Sequence, residues 1–134
     1  MSDEIQKVTS WPHVHLMVCD YATVSDDGTC SIIRGGISEI SSDRLPVPVV
    51  VWLYVEVDTR SMTLGDHDVV TTIVTKEEVE LAEVRGILSI ERPGTRARFA
   101  VPLSCSVQAL GDIVVRTKVG TMFAERTILV EKKS

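Results

Sequence analysis

The sequence predicts an all-β protein, an antiparallel β-sandwich of about eight strands with an Ig-like or jelly-roll-like arrangement. Valine is the commonest residue, and β-branched side chains favour strands because their stiff first torsion suits a pleated surface. Short apolar segments recur along the chain with turn signals between them, as is typical of sandwiches and barrels. Aromatic residues make up only 4% of the chain, so the core must be mostly aliphatic.

One domain accounts for the chain, because 134 residues suffice for a two-layer core without disulfides or metal ions. We expect residues 1–11 to form a flexible leader and residues 12–131 to form the domain. Residues 132–134 are then a short tail.

The first predicted hairpin begins with a strand over residues 13–21, which is largely apolar on both faces and therefore suits a central position. The sequence Asp27-Gly28 indicates a tight turn, because glycine adopts a positive φ without steric hindrance. The return strand is expected over residues 29–40, and Gly35-Gly36 marks a bulge or bend within it.

The strongest strand signal covers residues 49–58. Pro46 and Pro48 can lie only at its start or on a sheet edge. Residues 59–68 are expected to form a polar loop, and residues 69–75 the next strand.

Residues 76–84 fit two structures. Thr75 to Glu78 matches a helix capping box, whereas the alternation of Val79 and Leu81 with Glu80 is typical of a strand. We favour a hairpin that turns at residues 76–78.

The remaining strands follow the same pattern. Residues 86–90 and 97–105 are expected to be strands on either side of a turn at residues 92–95, although Pro102 disfavours a central position for the second. A loop around Gly111-Asp112 precedes a last hairpin over residues 113–130, hinged near Gly120.

Cys19-Asp20-Tyr21-Ala22, followed by Asp27-Gly28 and the Gly35-Gly36 pair, resembles a family of short bacterial proteins of unknown function. The likeness continues into the last hairpin and covers nearly the whole chain after residue 11. It departs at Ile113, where an aromatic residue is expected. The resemblance implies a β-sandwich in a bacterial or phage setting, and it implies no activity.

Charge and composition argue against several partners. The formal net charge is −5 and the chain has no basic stripe, so nucleic acid is not an expected partner. The longest apolar run, residues 47–55, is too short to cross a bilayer, and the amino terminus lacks a secretory pattern.

Three scattered cysteines, Cys19, Cys30 and Cys105, indicate reduced thiols in a cytoplasmic protein.

Two groups of residues are candidate metal ligands. His13 and His15 share one strand face with Met17 and Cys19, so the two imidazoles could share a zinc or copper ion. The alternative is that Met17 and Cys19 belong to the core and the histidines lie near an edge.

Asp66-His67-Asp68, with Asp58 before them, could bind calcium through carboxylate oxygens on loops. The spacing of an EF-hand is missing, and a solvated loop explains the charges equally well. We expect no cofactor.

Catalytic motifs are poorly supported. Cys19 lies beside Asp20, but an acidic neighbour disfavours the reactive thiolate, and adjacent strand residues point to opposite faces. Ser104-Cys105-Ser106 lacks a nucleophile elbow. We therefore expect a structural cysteine, and no enzyme.

Four arginines, Arg85, Arg92, Arg96 and Arg98, could bind an acidic partner. The alternative is a solvated face on which nearby glutamates balance them, and we favour that alternative.

Trp52 and Tyr54 occupy one face of a strand that is apolar on both sides. That face needs cover, either from a subunit interface, where aromatic residues are enriched, or from the chain's own loops. The leading hypothesis is a non-enzymatic interaction or assembly module that binds a protein partner or itself as a homo-oligomer. The rival is a domain that binds a small ligand or a metal ion.

Overall fold

The structure, a computed structural model, describes residues 13–27, 29–92, 94 and 96–133. The predicted leader lies outside these residues. The described part contains nine strands and no helix, which confirms the all-β prediction. The strands are β1 (Val14–Val24), β2 (Cys30–Gly35), β3 (Glu39–Ser42), β4 (Val47–Asp58), β5 (Gly65–Thr75), β6 (Glu80–Ile90), β7 (Arg96–Val107), β8 (Gly111–Val119) and β9 (Met122–Lys132).

Two sheets form the predicted sandwich. Sheet A has the order β2-β1-β4-β7, and sheet B has the order β3-β9-β8-β5-β6. Neighbouring strands are antiparallel except β3 and β9, which run parallel. The sheet edges are therefore β2 and β7 in sheet A, and β3 and β6 in sheet B.

The strand order favours the Ig-like form of the sandwich. In an Ig-like domain the second strand B lies beside E in one sheet, while C, F and G are neighbours in the other. Here β4 lies beside β7, and β8 lies between β5 and β9. Strands β4, β5, β7, β8 and β9 thus take the places of B, C, E, F and G.

The core consists of the aliphatic side chains that alternate onto the inner faces, as the low aromatic content predicts. Every second residue of β4 from Val47 to Val57 is buried, and Ile73, Val115 and Ile128 face them from sheet B. Two buried threonines, Thr71 and Thr117, lie with their hydroxyl oxygens 3.4 Å apart. They satisfy each other's hydrogen-bonding capacity, which a buried polar group requires.

The prediction of a single strand over residues 29–40 is wrong. The segment forms two strands, β2 and β3, which explains why nine strands are found and not eight. Arg34 and Gly36 have φ values of 51° and 79°, which an extended strand does not tolerate. The chain ends β2 there and crosses to sheet B as β3. The amide of Ile37 donates to the carbonyl of Val18, 3.0 Å away, and holds the crossing against β1.

Other boundaries are confirmed or corrected by the pairing. The hairpin at residues 76–78 is confirmed, since β5 pairs with β6 and the amide of Glu78 donates to the carbonyl of Thr75. The loop over residues 59–68 is wrong at its end, because β5 already begins at Gly65. Pro102 lies on the edge strand β7, as its missing N–H requires.

Candidate functional site

The outer face of sheet A carries a surface that we call the aromatic face, formed by Tyr21, Val50, Trp52 and Tyr54. The rings of Tyr21 and Trp52 meet edge to face, with centroids 5.2 Å apart and planes inclined by 61°. This geometry places the positive edge of one ring against the negative face of the other. Val50 is 71% exposed, so the face presents apolar surface to solvent.

Tyr54 differs from its neighbours because the chain itself covers it. Only 9% of the residue is exposed, and it packs in a small cluster with Cys19 and Ala22. Tyr54 is therefore covered by its own chain and not by a subunit interface, which was the other possibility for this strand face. Burial, the charge of Glu56 and the nearby Cys30 raise the pKa of Tyr54 to about 12.

The aromatic face ends in a group of charged side chains around Glu56. Arg96 donates to Oε1 of Glu56 at 2.7 Å, Tyr54 donates to Oε2 at 3.2 Å, and Arg98 lies 3.8 Å from Oε2. Burial raises the pKa of the Glu56 carboxyl, but the hydrogen bonds from Arg96 and Tyr54 and the charge of Arg98 outweigh it and leave the pKa below its ordinary value.

A cleft of about 360 Å³ opens beside these side chains. It is lined by His15, Met17, Tyr54, Glu56, Arg96 and Arg126. The two lining arginines, Arg96 and Arg126, outnumber the one lining carboxylate, that of Glu56. The cleft therefore favours an anionic group.

The predicted ligands His13 and His15 lie at the start of β1, His13 immediately before the strand and His15 within it. The carbonyl of His13 accepts a hydrogen bond from the amide of Asp58 at 2.7 Å, which joins the start of β1 to the end of β4. His15 is exposed on the outer face opposite Glu56. Cys19 is buried and belongs to the small cluster of Tyr54, which agrees with a structural role.

The predicted calcium group does not converge on one point. Asp66, His67 and Asp68 lie in β5, where successive side chains alternate between the two faces. Asp66 accepts a hydrogen bond from the Ser89 hydroxyl at 2.6 Å, and the imidazole of His67 donates to the carbonyl of Thr63 at 2.7 Å. Asp58 instead pairs with Arg60 at 2.6 Å.

Metal binding gains no support from this arrangement. Within the described ranges, no group of three or more His, Cys, Asp or Glu side chains is placed to hold a metal ion. The metal assignment of His13, His15, Asp66, His67 and Asp68 stays a prediction that the fold does not strengthen.

Two of the three thiols, those of Cys19 and Cys105, are in surroundings that disfavour the reactive thiolate. Burial raises the pKa of the Cys19 thiol and outweighs a hydrogen bond from the backbone of Tyr54. Burial also raises the pKa of Cys105. Asp20 forms an ion pair with Arg34 at 3.2 Å rather than serving the thiol.

Three of the four arginines in the middle of the chain have acidic partners, which supports the alternative of a solvated face with balanced charges. Arg85 pairs with Glu83 at 3.0 Å, as expected from the glutamates nearby in the sequence. Arg96 and Arg98 pair with Glu56, a residue of the neighbouring strand β4. The sequence alone did not indicate Glu56 as their partner, because only the pairing of β4 with β7 brings Glu56 close to these two arginines.

A second surface, which we call the open edge, lies where the edge strands β6 and β7 approach each other on one side of the sandwich. An apolar slot of about 180 Å³ opens there between the two sheets. Its lining includes Val69, Thr71, Val84, Leu88, Phe99 and Val101. Val84 is 40% exposed, and Ile87, three residues further along β6 and on the opposite face, is 66% exposed.

Sequence reasoning missed the open edge. The alternation of residues 79–84 indicated a strand, but it could not show that this strand lies outermost in its sheet. The sequence offers one signal for it, the charged residues Glu83 and Arg85 on the outer face of β6, on either side of an apolar inner-face residue, Val84.

Comparisons with known proteins give no assignment. No known protein family and no curated protein matches the sequence. In the part of the chain that the structure describes, no helix is long and apolar enough to cross a membrane. The resemblance to the bacterial Cys-Asp-Tyr-Ala family therefore stays a prediction.

Proposed function

We propose that this chain is a non-enzymatic assembly module that self-associates through its open edge. The observation that carries the proposal is Val84, an apolar side chain of the outermost strand β6 that is 40% exposed at the mouth of an apolar slot. A sandwich normally covers the inner face of its sheets. Here Val84 belongs to that inner face, since it pairs with the buried Thr71, and yet remains in contact with solvent.

The physical reason for association is the apolar surface that a partner would remove from water. Phe99 and Val101 of β7 are half-buried and line the slot together with Val84. Covering them is favourable by about 25 cal/mol per Å² of apolar area. An edge strand adds unpaired backbone groups, which another strand can satisfy.

The non-enzymatic part of the proposal is supported by the two carboxyl groups with lowered pKa values, since the hydrogen bonds of each account for its shift. The lowered pKa of Glu56 is explained by Arg96 and Tyr54, and that of Asp58 by Arg60. Structural ion pairs shift pKa values in the same way as active sites do. Neither shift requires a catalytic role.

Native mass spectrometry and sedimentation velocity over a concentration series test the proposal. We expect a discrete oligomer that dissociates on dilution. A charged residue at the open edge, Val84→Lys, should abolish it, because an inward-pointing lysine opposes edge pairing. The matched control is Val50→Lys on the aromatic face, which changes an even more exposed valine of a strand.

Two outcomes contradict the proposal in different ways. A monomer at all concentrations contradicts self-association. An oligomer that Val50→Lys dissociates and Val84→Lys leaves intact places the contact on the aromatic face instead, where Trp52 and Tyr54 were the predicted interface residues.

The cleft beside Glu56 supports a second candidate function, the binding of a small anion such as a phosphate or carboxylate. Arg126 lines the cleft from sheet B, while Arg96 is already bonded to Glu56. Inorganic phosphate should then raise the melting temperature of the protein, and Arg126→Gln should remove the effect. Arg60→Gln, a change of an exposed arginine outside the cleft, is the control; equal responses in both variants would contradict binding in the cleft.

A further inference from the structure

The four edge strands differ in how well they are protected from pairing with another chain. β3 has four residues, and β2 has six and ends at the positive φ of Arg34. β7 carries Pro102, which has no N–H to donate. Short strands, bends and prolines are among the devices that prevent edge pairing.

β6 is neither short nor interrupted by proline, and a bulge in it, at Leu81 between the Ile73–Ala82 and Val74–Glu80 pairs, lies three residues before Val84. The strand is eleven residues long and keeps a regular ladder with β5 from Gly65–Ile90 to Ile73–Ala82. The charged residues Glu83 and Arg85 could blunt the edge. Their positions, however, are symmetric about Val84, one on each side.

The two faces of β6 follow from its register with β5. Ala82, Val84 and Gly86 pair with Ile73, Thr71 and Val69, which are all buried, so these three residues belong to the inner face. Glu83 and Arg85 therefore project from the outer face. They form an ion pair with each other at 3.0 Å along the strand.

We infer that the partner in self-association is a second copy whose β6 pairs antiparallel with this β6, with Val84 opposite Val84 on a two-fold axis. The inference rests on the proposed function and names the partner and register of the same edge. Opposite residues of an antiparallel pair project from the same face. A symmetric pair of β6 strands must therefore have one residue of β6 on the axis, opposite itself.

Charge complementarity selects Val84 for that position. With Val84 on the axis, Glu83 of each copy lies opposite Arg85 of the other, and two cross-strand ion pairs form. With Glu83 or Arg85 on the axis, like charges face each other, which is unfavourable. With Ala82 or Gly86 on the axis, Glu83 of one copy does not lie opposite Arg85 of the other, so these two cross-strand ion pairs do not form.

The inner face also fits this register. Ala82 of one copy lies opposite Gly86 of the other, and a Cβ built on Gly86 has no atom within 4 Å. The space above Gly86 can therefore accept the neighbouring side chain. The two Val84 side chains meet at the mouths of the two slots and continue the apolar inner face from one sandwich to the next.

Charge reversal tests the register. Glu83→Arg and Arg85→Glu should each raise the dissociation constant of the dimer roughly tenfold or more, since each replaces two attractive cross-strand pairs with two repulsive ones. The double variant Glu83→Arg/Arg85→Glu restores both pairs and should return the constant close to that of the unmodified protein. Lys118→Glu, on the exposed surface of β8, is the control charge reversal, and circular dichroism verifies that each variant is folded.

Disulfide trapping gives an independent readout. Across the axis the two Val84 Cα atoms would lie about 5 Å apart, within reach of a disulfide. Val84→Cys in a Cys30→Ser background should form a covalent dimer on mild oxidation, and Val50→Cys in the same background should not.

The outcomes separate this inference from the function on which it rests. A monomeric unmodified protein contradicts both. A dimer that keeps its dissociation constant in both single charge variants, or is not rescued by the double variant, or is trapped through Val50→Cys and not Val84→Cys, contradicts the β6 register and leaves self-association standing.

Discussion

The phenolic oxygen of Tyr54 lies 3.2 Å from a carboxylate oxygen of Glu56, two residues further along the outer face of β4. Arg96, on the neighbouring strand β7, binds the other oxygen of the same carboxylate at 2.7 Å. The three side chains connect the buried part of the aromatic face with the cleft beside it. The ionisation of Tyr54 and the stability of the sheet are therefore linked.

Alkaline pH should destabilise the fold through Tyr54. Its pKa in the folded protein is about 12, whereas an unfolded tyrosine has a pKa of about 10. The stabilisation is thus fully present below pH ~10 and is lost as the pH rises through about 12. Tyr54→Phe should remove the tyrosinate absorbance step at the highest pH and flatten the loss of stability in urea over this range.

Tyr21→Phe is the control for that prediction, because Tyr21 belongs to the same face and is 41% exposed. If Tyr21→Phe removes the highest step and Tyr54→Phe leaves it, the assignment of the raised pKa to Tyr54 is wrong.

Acid pH should destabilise the fold through Asp58. Hydrogen bonds from the side chain and backbone of Arg60 lower the pKa of Asp58 to about 2. A lowered pKa means that the stabilisation is present above the unfolded value of about 3.9 and is lost as the pH falls through about 2. Asp58→Asn should reduce the slope of stability against pH in this window, measured by urea denaturation. Asp112→Asn removes one carboxylate elsewhere; an equal change in slope for both variants would contradict a specific role of Asp58.

Truncation of buried and exposed valines on β4 should have very different effects. Val55 is fully buried between the sheets, whereas Val50 is 71% exposed on the aromatic face. Val55→Ala should lower the free energy of unfolding by roughly 2 kcal/mol, through lost apolar burial and the cavity left behind. Val50→Ala should change it by less than about 0.5 kcal/mol. Denaturation in urea measures both, and similar losses would show that β4 does not have the inner face described.

The sequence predicts those features of the fold that arise from local patterns. Alternating side chains identified β4, and the signal at residues 76–78 identified the turn between β5 and β6. The division of residues 29–40 escaped prediction because it depends on positive φ values at Arg34 and Gly36. Gly36 tolerates this conformation readily, but an arginine rarely adopts it, so the residue type at position 34 gave no warning.

The candidate surfaces were predictable only where the side-chain pattern of a single strand defines them. Trp52 was identified from β4 alone, and the structure places it on an outer face beside Tyr21. Asp66 and Asp68 resembled loop residues because their polar character hides the pairing with Ser89 and Ile87. The position of β6 at a sheet edge depends on pairing between distant segments, which local alternation does not contain.

Gly35 provides a prediction about packing between β1 and β2. A Cβ at this position would collide with Sδ of Met17 and approach a methyl carbon of Ile32 at 3.2 Å. Gly35→Ala should therefore bring no net gain in stability, because the flexible and partly exposed end of Met17 must move aside and this offsets the entropic benefit of alanine in the unfolded chain. In a Met17→Ala background the collision with Met17 is gone and only the contact with Ile32 remains, so the same substitution should stabilise the protein by up to about 1 kcal/mol. A double-mutant cycle in urea measures the coupling between the two positions. An equal effect in both backgrounds would show that Met17 does not pack over Gly35.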